Sequence, residues 1–287
     1  MWRVASCFLV VVLLLGWASR ALADEPGPRW NPPRALRTAD YVLVPALGAT
    51  MLTTGLLAPG STAPKWTGRS GFDDGARDLL RGGSRGQRAF AGTMSDVLWI
   101  GLTLYPAVVE SFVLAGLVHK KPDLAFRLFM IYGEAGLSAG VITVLTQGLA
   151  YRGRPLADEC ARDGGYDPMC NSKQLSRSFI AGHAAAAFNS AGLTCVHSSK
   201  MPLYGLRAGS VAACAGTVTL AATTGLLRVI ADKHWTTDVL AGSATGLATG
   251  LLVPLVFHYA GAEAAQRWTV SPVMTGDVRG FVAATPL

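Results

Sequence analysis

The sequence predicts an all-α membrane protein, a six-helix transmembrane bundle preceded by a hydrophobic N-terminal segment. Apolar residues make up 51% of the 287-residue chain and charged residues only 15%, with a mean hydropathy of +0.35. Soluble domains carry roughly a quarter charged residues, so the chain lacks the polar surface of a soluble globule. Six segments meet or approach the roughly 20 apolar residues that a helix needs to cross a hydrocarbon core of about 30 Å. Lipid cannot satisfy free backbone groups, which makes helices the natural choice for those segments. Disorder, a coiled coil and a collagen-like fibre are excluded by the same composition. The net charge of +7 and the pI near 9.4 come without a basic helix or an aromatic-and-basic strand pattern. They point to lipid headgroups as the partner and away from nucleic acid.

The elements follow in chain order. Residues 1–23 combine Arg3, an apolar run and Ala21-Leu22-Ala23, the pattern of a signal peptide; an uncleaved anchor is the alternative. Residues 24–38 hold four prolines and read as an extended tether. The six spans are 41–58, 97–118, 128–151, 179–199, 208–227 and 239–257, within a transmembrane domain over 39–260. The fourth is the weakest, since it contains His183, Asn189 and His197. Glu110 and Glu134 interrupt the second and third spans and should face the bundle interior, because a charge facing lipid costs several kcal/mol. Gly242, Gly246 and Gly250 form a ridge on the sixth span, and Gly136 and Gly140 one on the third, where a neighbouring backbone can come close. The glycine-rich stretch 59–93 reads as a lid or headgroup selector, with a disordered connector as the alternative. Residues 261–287 form a C-terminal tail.

Each span reverses direction across the bilayer. The end of the third, the start of the fourth, the end of the fifth and the start of the sixth therefore emerge on one face. That parity gathers Arg152, Arg154, His183, Arg228, His234 and Asp238. Arginine forks bind phosphate oxygens bidentately. His234 and Asp238 are four residues apart, so on a helix they share a face. A carboxylate there can hold the imidazole tautomer and leave the other ring nitrogen as a nucleophile. His183 could protonate a leaving oxygen. Gly182 allows close backbone approach at a helix N-terminus that could bind an anion.

These residues resemble the superfamily of type-2 phosphatidic acid phosphatases and vanadium haloperoxidases, with its signature K-x6-R-P, P-S-G-H and S-R-x5-H-x3-D. The corresponding pieces are Gln147-x6-Arg154-Pro155, Ile180-Ala181-Gly182-His183 and Leu227-Arg228-x5-His234-x3-Asp238. The resemblance implies an all-helical fold and metal-independent phosphomonoester hydrolysis with no cofactor. It makes His234 the nucleophile of a phosphohistidine intermediate, Asp238 its orienting partner and His183 the general acid. Arg154 and Arg228 would be phosphate ligands, with Gly182, Gln147 and Arg152 beside them. Gln147, Ala181 and Leu227 depart from lysine, serine and serine. One positive charge and two hydroxyls are thereby lost, at about 1.5–3 kcal/mol for each bond to a charged group. Arg152 or Lys173 are candidates to restore the charge.

The expected function is removal of phosphate from a lipid phosphate or isoprenoid diphosphate, with the membrane lipid and the bilayer as partners. The alternatives are a degenerate member that binds phosphorylated lipid without turnover, and an unrelated helical transporter or scaffold. A cluster at one membrane face argues against the transporter, whose sites sit near the midplane. Cys160 and Cys170, in the polar loop between the third and fourth spans, read as a disulfide, which places that face in the periplasm of a bacterial-type inner membrane. A cleaved signal peptide would argue for the cytoplasm, so a periplasmic face requires the N-terminal segment to stay uncleaved or the first span to be incomplete. Cys7, Cys195 and Cys214 lie in apolar segments and read as inert small hydrophobes.

Overall fold

The computed structural model describes residues 26–57, 62, 64–67, 70–260, 269–275 and 278–284. The expected signal peptide or anchor, residues 1–23, lies outside them. Eight α-helices follow one another: α1 (Thr38–Leu57), α2 (Gly71–Leu80), α3 (Arg85–Leu104), α4 (Pro122–Ala150), α5 (Ala157–Arg162), α6 (Gly182–Lys200), α7 (Arg207–Ile230) and α8 (Thr236–Leu252). Two helices continue as wider π-helical turns, α3 through Tyr105–Val118 and α8 through Val253–Tyr259. Both continuations begin beside a proline, Pro106 and Pro254, which cannot donate to the helical ladder and pushes its bonds out of register.

Five of these helices are long and apolar enough to cross a membrane: Thr38–Leu57, Arg85–Val118, Pro122–Ala150, Arg207–Ile230 and Thr236–Tyr259. The expected sixth, α6, forms but falls short in apolarity. Twelve of its 19 residues are buried, and it packs against α8, α7, α4 and α3. Protein surrounds it instead of lipid, so small polar residues serve there. The glycine ridge of α8 makes this possible. A Cβ on Gly242, Gly246 or Gly250 would lie 2.4, 2.1 or 2.3 Å from the carbonyl oxygens of Ala181, Ala185 and Asn189. On α4, a Cβ at Gly140 would meet the Met51 sulfur of α1 at 2.6 Å.

Both intramembrane glutamates are buried and paired, as their cost in lipid requires. Glu110 binds His197 at 2.8 Å and Tyr204 at 2.6 Å, and Glu134 binds His258 at 2.8 Å. The proline-rich segment is extended and lies against the end of the bundle opposite the candidate site. There the Asn31 and Arg34 amides donate to the Lys200 and His258 carbonyls at 2.9 Å each.

Beyond the helices, Thr269–Thr275 pairs antiparallel with Val278–Ala284, in segments rich in valine, threonine and phenylalanine that suit a strand. Two expectations need correction. The glycine-rich stretch is not a disordered connector in its second half. It folds into α2, capped by the Ser70 hydroxyl, and α3 begins at Arg85, far ahead of the apolar run at 97. Finally, Cys195 and Cys214 are not inert. They form a disulfide with a Cα separation of 4.5 Å, because the helices that carry them, α6 and α7, pack side by side.

Candidate active site

Helix α4 ends at Tyr151, whose left-handed backbone (φ 48°) turns the chain out of the helix. The following strand-like residues cross the bundle end: the Ser178 amide donates to the Arg152 carbonyl at 3.0 Å and the Arg154 amide to the Leu175 carbonyl at 2.9 Å. The Ala181 amide donates to the Asp238 carbonyl at 3.0 Å, which joins the N-termini of α6 and α8. The end of α4, the start of α6, the end of α7 and the start of α8 thus meet on one face, as the alternation of spans requires.

His234 sits in the middle, 2% exposed. Its Nδ1 lies 2.9 Å from the Ser178 carbonyl, which can only accept, so this nitrogen carries the proton. Nε2 is left as a lone pair, 3.0 Å from Arg154 Nη1. Burial lowers the His234 pKa well below 6.5, and the nearby Arg154 and Arg228 charges lower it further. The imidazole is neutral at neutral pH.

Asp238 was expected to bind His234 directly. The i, i+4 geometry brings its Oδ2 only to 3.8 Å from Nδ1. Its hydrogen bonds go elsewhere: from the Ser178 hydroxyl at 2.5 Å, from the Trp235 amide at 3.0 Å and from Arg152 at 2.5 Å. Asp238 therefore orients the histidine through Ser178, whose carbonyl holds Nδ1.

Arg152 departs from its expected place beside the phosphate. Its Nη1 donates to Asp238 and Thr237, and its Nη2 donates to Asp73 on α2 at 2.8 Å. With both ends of the fork held by carboxylates, it is a structural cation. Asp73 is the residue that the sequence did not disclose. It accepts from the Thr237 amide at 2.9 Å, from the Thr237 hydroxyl at 2.8 Å and from Arg152, so it caps α8 and fixes Arg152 at once. Burial alone would raise its pKa, but the bonds from Thr237 and Arg152 outweigh that and hold it below 3.8.

The other two arginines are differently placed. Arg154 donates from Nε to the Gln174 carbonyl and from Nη1 to the Lys233 carbonyl and His234, with no carboxylate partner among the described residues. Burial and the neighbouring Arg228 depress its pKa. Arg228 donates from Nη1 to Ser95 and Asp96, both at 3.0 Å, and its buried Nε has no partner. Asp96 also meets His183 Nε2 at 2.8 Å, so one half-exposed carboxylate bridges the expected general acid and an expected phosphate ligand. The lysine missing from the Gln147 position is not replaced by Lys173, which is exposed. Lys233 is partly buried on the same face, where burial and the Arg228 and Arg154 charges lower its pKa. Gln147 itself donates to the Ile180 carbonyl at 2.9 Å beside Gly182, where a Cβ would meet the Thr143 methyl at 3.2 Å.

Asp73, Asp96, Ser178 and Lys233 are the residues that motif reasoning passes over. Only Lys233 carried a signal, as the neighbour of His234. The expected disulfide between Cys160 and Cys170 is present, with a Cα separation of 5.2 Å. It closes the loop over a cavity of about 290 Å³ that Arg154 and Trp235 also line.

The donor set does not suit a metal. Arg154 and Arg228 lie near His234, and the Asp96 carboxylate is shared by Arg228 and His183. Among the described residues, one group of three could gather around an ion: Asp40, Glu134 and His258, with ligand atoms within 4.8 Å of one another. It lies toward the other end of the bundle. Arg34 already forks Asp40 there at 2.6 and 2.9 Å.

The model of the PAP2 superfamily matches residues 128–262, so this region of the chain is similar to that superfamily. The five helices long and apolar enough to cross a membrane suggest a multi-pass membrane protein, and the match suggests a phosphatase activity at a coarse level. Neither a curated protein nor a solved structure matches the chain.

Proposed function

We propose that this protein hydrolyses a phosphomonoester of a membrane lipid by way of a phosphohistidine, without a metal or organic cofactor. The observation that carries the reading is a neutral, tautomer-fixed His234 whose Nε2 faces Arg154, a guanidinium without a carboxylate partner among the described residues. An anion with several oxygens would supply acceptors for Arg154, for the unpartnered Arg228 Nε and for the α6 N-terminus. In the first step Nε2 forms a bond to phosphorus, the phosphorus–oxygen bond to the lipid breaks, and His183 gives its proton to the leaving oxygen. In the second, His183 takes a proton from water as the water oxygen displaces Nε2, which releases inorganic phosphate. Arg154 and Arg228 neutralise the charge on the equatorial oxygens in both steps. Asp238, Ser178 and Arg152 hold the imidazole in place.

Two disulfides, one in the loop over the site and one between α6 and α7, support an oxidising compartment. The reading places the site on the periplasmic face of a bacterial-type inner membrane, with residues 1–23 retained as an anchor.

The test is phosphate release from a panel of lipid phosphates by the purified protein in detergent, for the natural chain and for His234→Ala. Release by the former and none by a folded His234→Ala protein is the expected result. Tight binding of lipid phosphate with no release by the natural chain would favour the degenerate, non-catalytic alternative. That alternative draws on Gln147, whose amide is engaged by a carbonyl where the family pattern has a lysine.

A further inference from the structure

Helix α2 turns charged side chains inward and its large apolar ones outward. Asp73 is 1% exposed and holds both Arg152 and Thr237. Arg77, one turn further on, forks Asp232 at 2.6 and 2.8 Å. Phe72 and Leu79, by contrast, are 59% and 82% exposed. At 3.6 residues per turn the side chains of α2 fall into three sectors, roughly 120° apart. Asp73, Arg77 and Leu80 form the sector against the bundle. Phe72, Gly75 and Leu79 form a second, apolar sector, and Asp74 and Asp78 a third, acidic one. A helix with one apolar and one charged side beside its protein contact has the form of one lying along a membrane surface.

The level of α2 along the bundle identifies what covers the apolar sector. Asp73 accepts from the Thr237 amide in the first turn of α8, and just past α2 the Gly82 amide donates to the carbonyl of Ile230, the last residue of α7, at 2.9 Å. Leu240 is three residues after Thr237 and is 56% exposed on a helix long and apolar enough to cross the membrane. The lipid-facing surface of α8 therefore begins about 5 Å below the point where α2 is held. In the chain, α2 connects two further candidate spans, those of α1 and α3. Both expose apolar side chains toward the ends nearest α2: Leu56 and Leu57 on α1, Phe90 on α3. The apolar sector of α2 is thus continuous in level with surfaces that meet lipid, where a large exposed apolar patch finds its cover.

We propose that α2 is an interfacial helix that seats Phe72 and Leu79 in the boundary between headgroups and acyl chains of the leaflet on the site's side. Its partner is the lipid surface itself. The seat has a consequence for the site, because the same ten residues carry Asp73 on the opposite flank. With Phe72 and Leu79 held by lipid, Asp73 is kept against Arg152 and the first turn of α8, and Arg152 in turn holds Asp238. The leaflet becomes part of the scaffold that positions His234. The lipid contact does not depend on which reaction the site performs.

The experiment places a nitroxide on Phe72→Cys, Leu79→Cys or Asp78→Cys, each in a full-length chain with Cys7→Ser, since Cys7 is the one cysteine outside the two disulfides. The proteins are studied in nanodiscs of phosphatidylethanolamine and phosphatidylglycerol. At positions 72 and 79, relaxation by oxygen, which concentrates in the bilayer, should exceed relaxation by a water-soluble nickel chelate; at position 78 the order should reverse. Stronger relaxation by the nickel chelate at 72 and 79 would overturn the proposal. So would immobile labels that neither reagent reaches, which would mean cover by protein, either a second copy or residues 261–287. Hydrogen exchange tests the anchoring separately. The double variant Phe72→Ala, Leu79→Ala favours helix at both positions, yet the amides of α2 should exchange about tenfold faster than in the natural chain, with those of α4 and α6 unchanged. Equal exchange of α2 in the two proteins would show that lipid does not hold it.

Discussion

Asp73 offers the sharpest test of how the site is built, because it touches neither His234 nor the cavity around it. Its side chain is fully buried on α2 and holds two things: the first turn of α8, through the Thr237 amide, and Arg152. Asp73→Ala removes both. Loss of a helix N-cap costs about 1 kcal/mol. Loss of one charge-assisted bond to Arg152 costs about 2 kcal/mol. The full penalty for an unpaired buried charge does not apply, because Arg152 keeps Asp238 at 2.5 Å. The sum, about 3 kcal/mol, corresponds to a fall in Tm of roughly 8 °C for a domain of this size. Function should suffer more than stability suggests. Thr237 and Asp238 belong to the same turn, and a shift of about 1 Å in a positioned group can cost on the order of a hundredfold in rate. The expectation is a kcat lowered about a hundredfold with KM little changed, measured as phosphate release beside thermal unfolding in the same detergent. Asp73→Asn should fall between, since it keeps the shape but loses the charge. Natural activity and an unchanged Tm in Asp73→Ala would show that α2 is not part of the support.

Further predictions follow from the same geometry. Vanadate should inhibit and EDTA should not, and Asp96→Ala should tighten vanadate binding about tenfold, because the carboxylate no longer competes for Arg228; unchanged or weaker inhibition would place the anion elsewhere. Lowering the pH should destabilise the protein from about 6.5 downward. The folded His234 pKa is depressed by burial and by Arg154 and Arg228, so between the two pKa values the unfolded chain binds a proton that the folded chain refuses, and stability falls as pH falls; Tm measured in His234→Gln should lose part of that slope. After mild reduction of intact cells, a membrane-impermeant thiol reagent should label Cys160 and Cys170, while labelling only after the inner membrane is opened would move the site to the cytoplasm.

Much of this architecture could be read from local patterns. Apolar runs of sufficient length mark five membrane helices, and alternation of direction alone brings Arg154, His183, Arg228 and His234 to one face. The spacing of His234 and Asp238 places Asp238 in the first turn of α8 and His234 just ahead of it. The glycine triplet of α8 announces a close helix contact, and α6 supplies it. Where an expectation failed, the determining neighbour was remote in the chain. Asp238 and Arg152 look like a direct orienter and a phosphate ligand only while Ser178 and Asp73 are out of view, 60 and 79 residues away. Cys195 and Cys214 look inert until α6 and α7 are set side by side.

What the sequence determined by itself was therefore periodic or covalent: hydrophobic length, parity across the bilayer, and the spacing of groups within one helix turn. These depend on neighbours a few residues apart, which the chain order specifies. The tertiary structure decided which polar groups satisfy one another. A buried carboxylate or guanidinium must find partners wherever packing brings them, and desolvation makes an unpaired one costly. That requirement drew Asp73 from a glycine-rich stretch onto Arg152 and left His234 Nε2 and Arg228 Nε without a carboxylate.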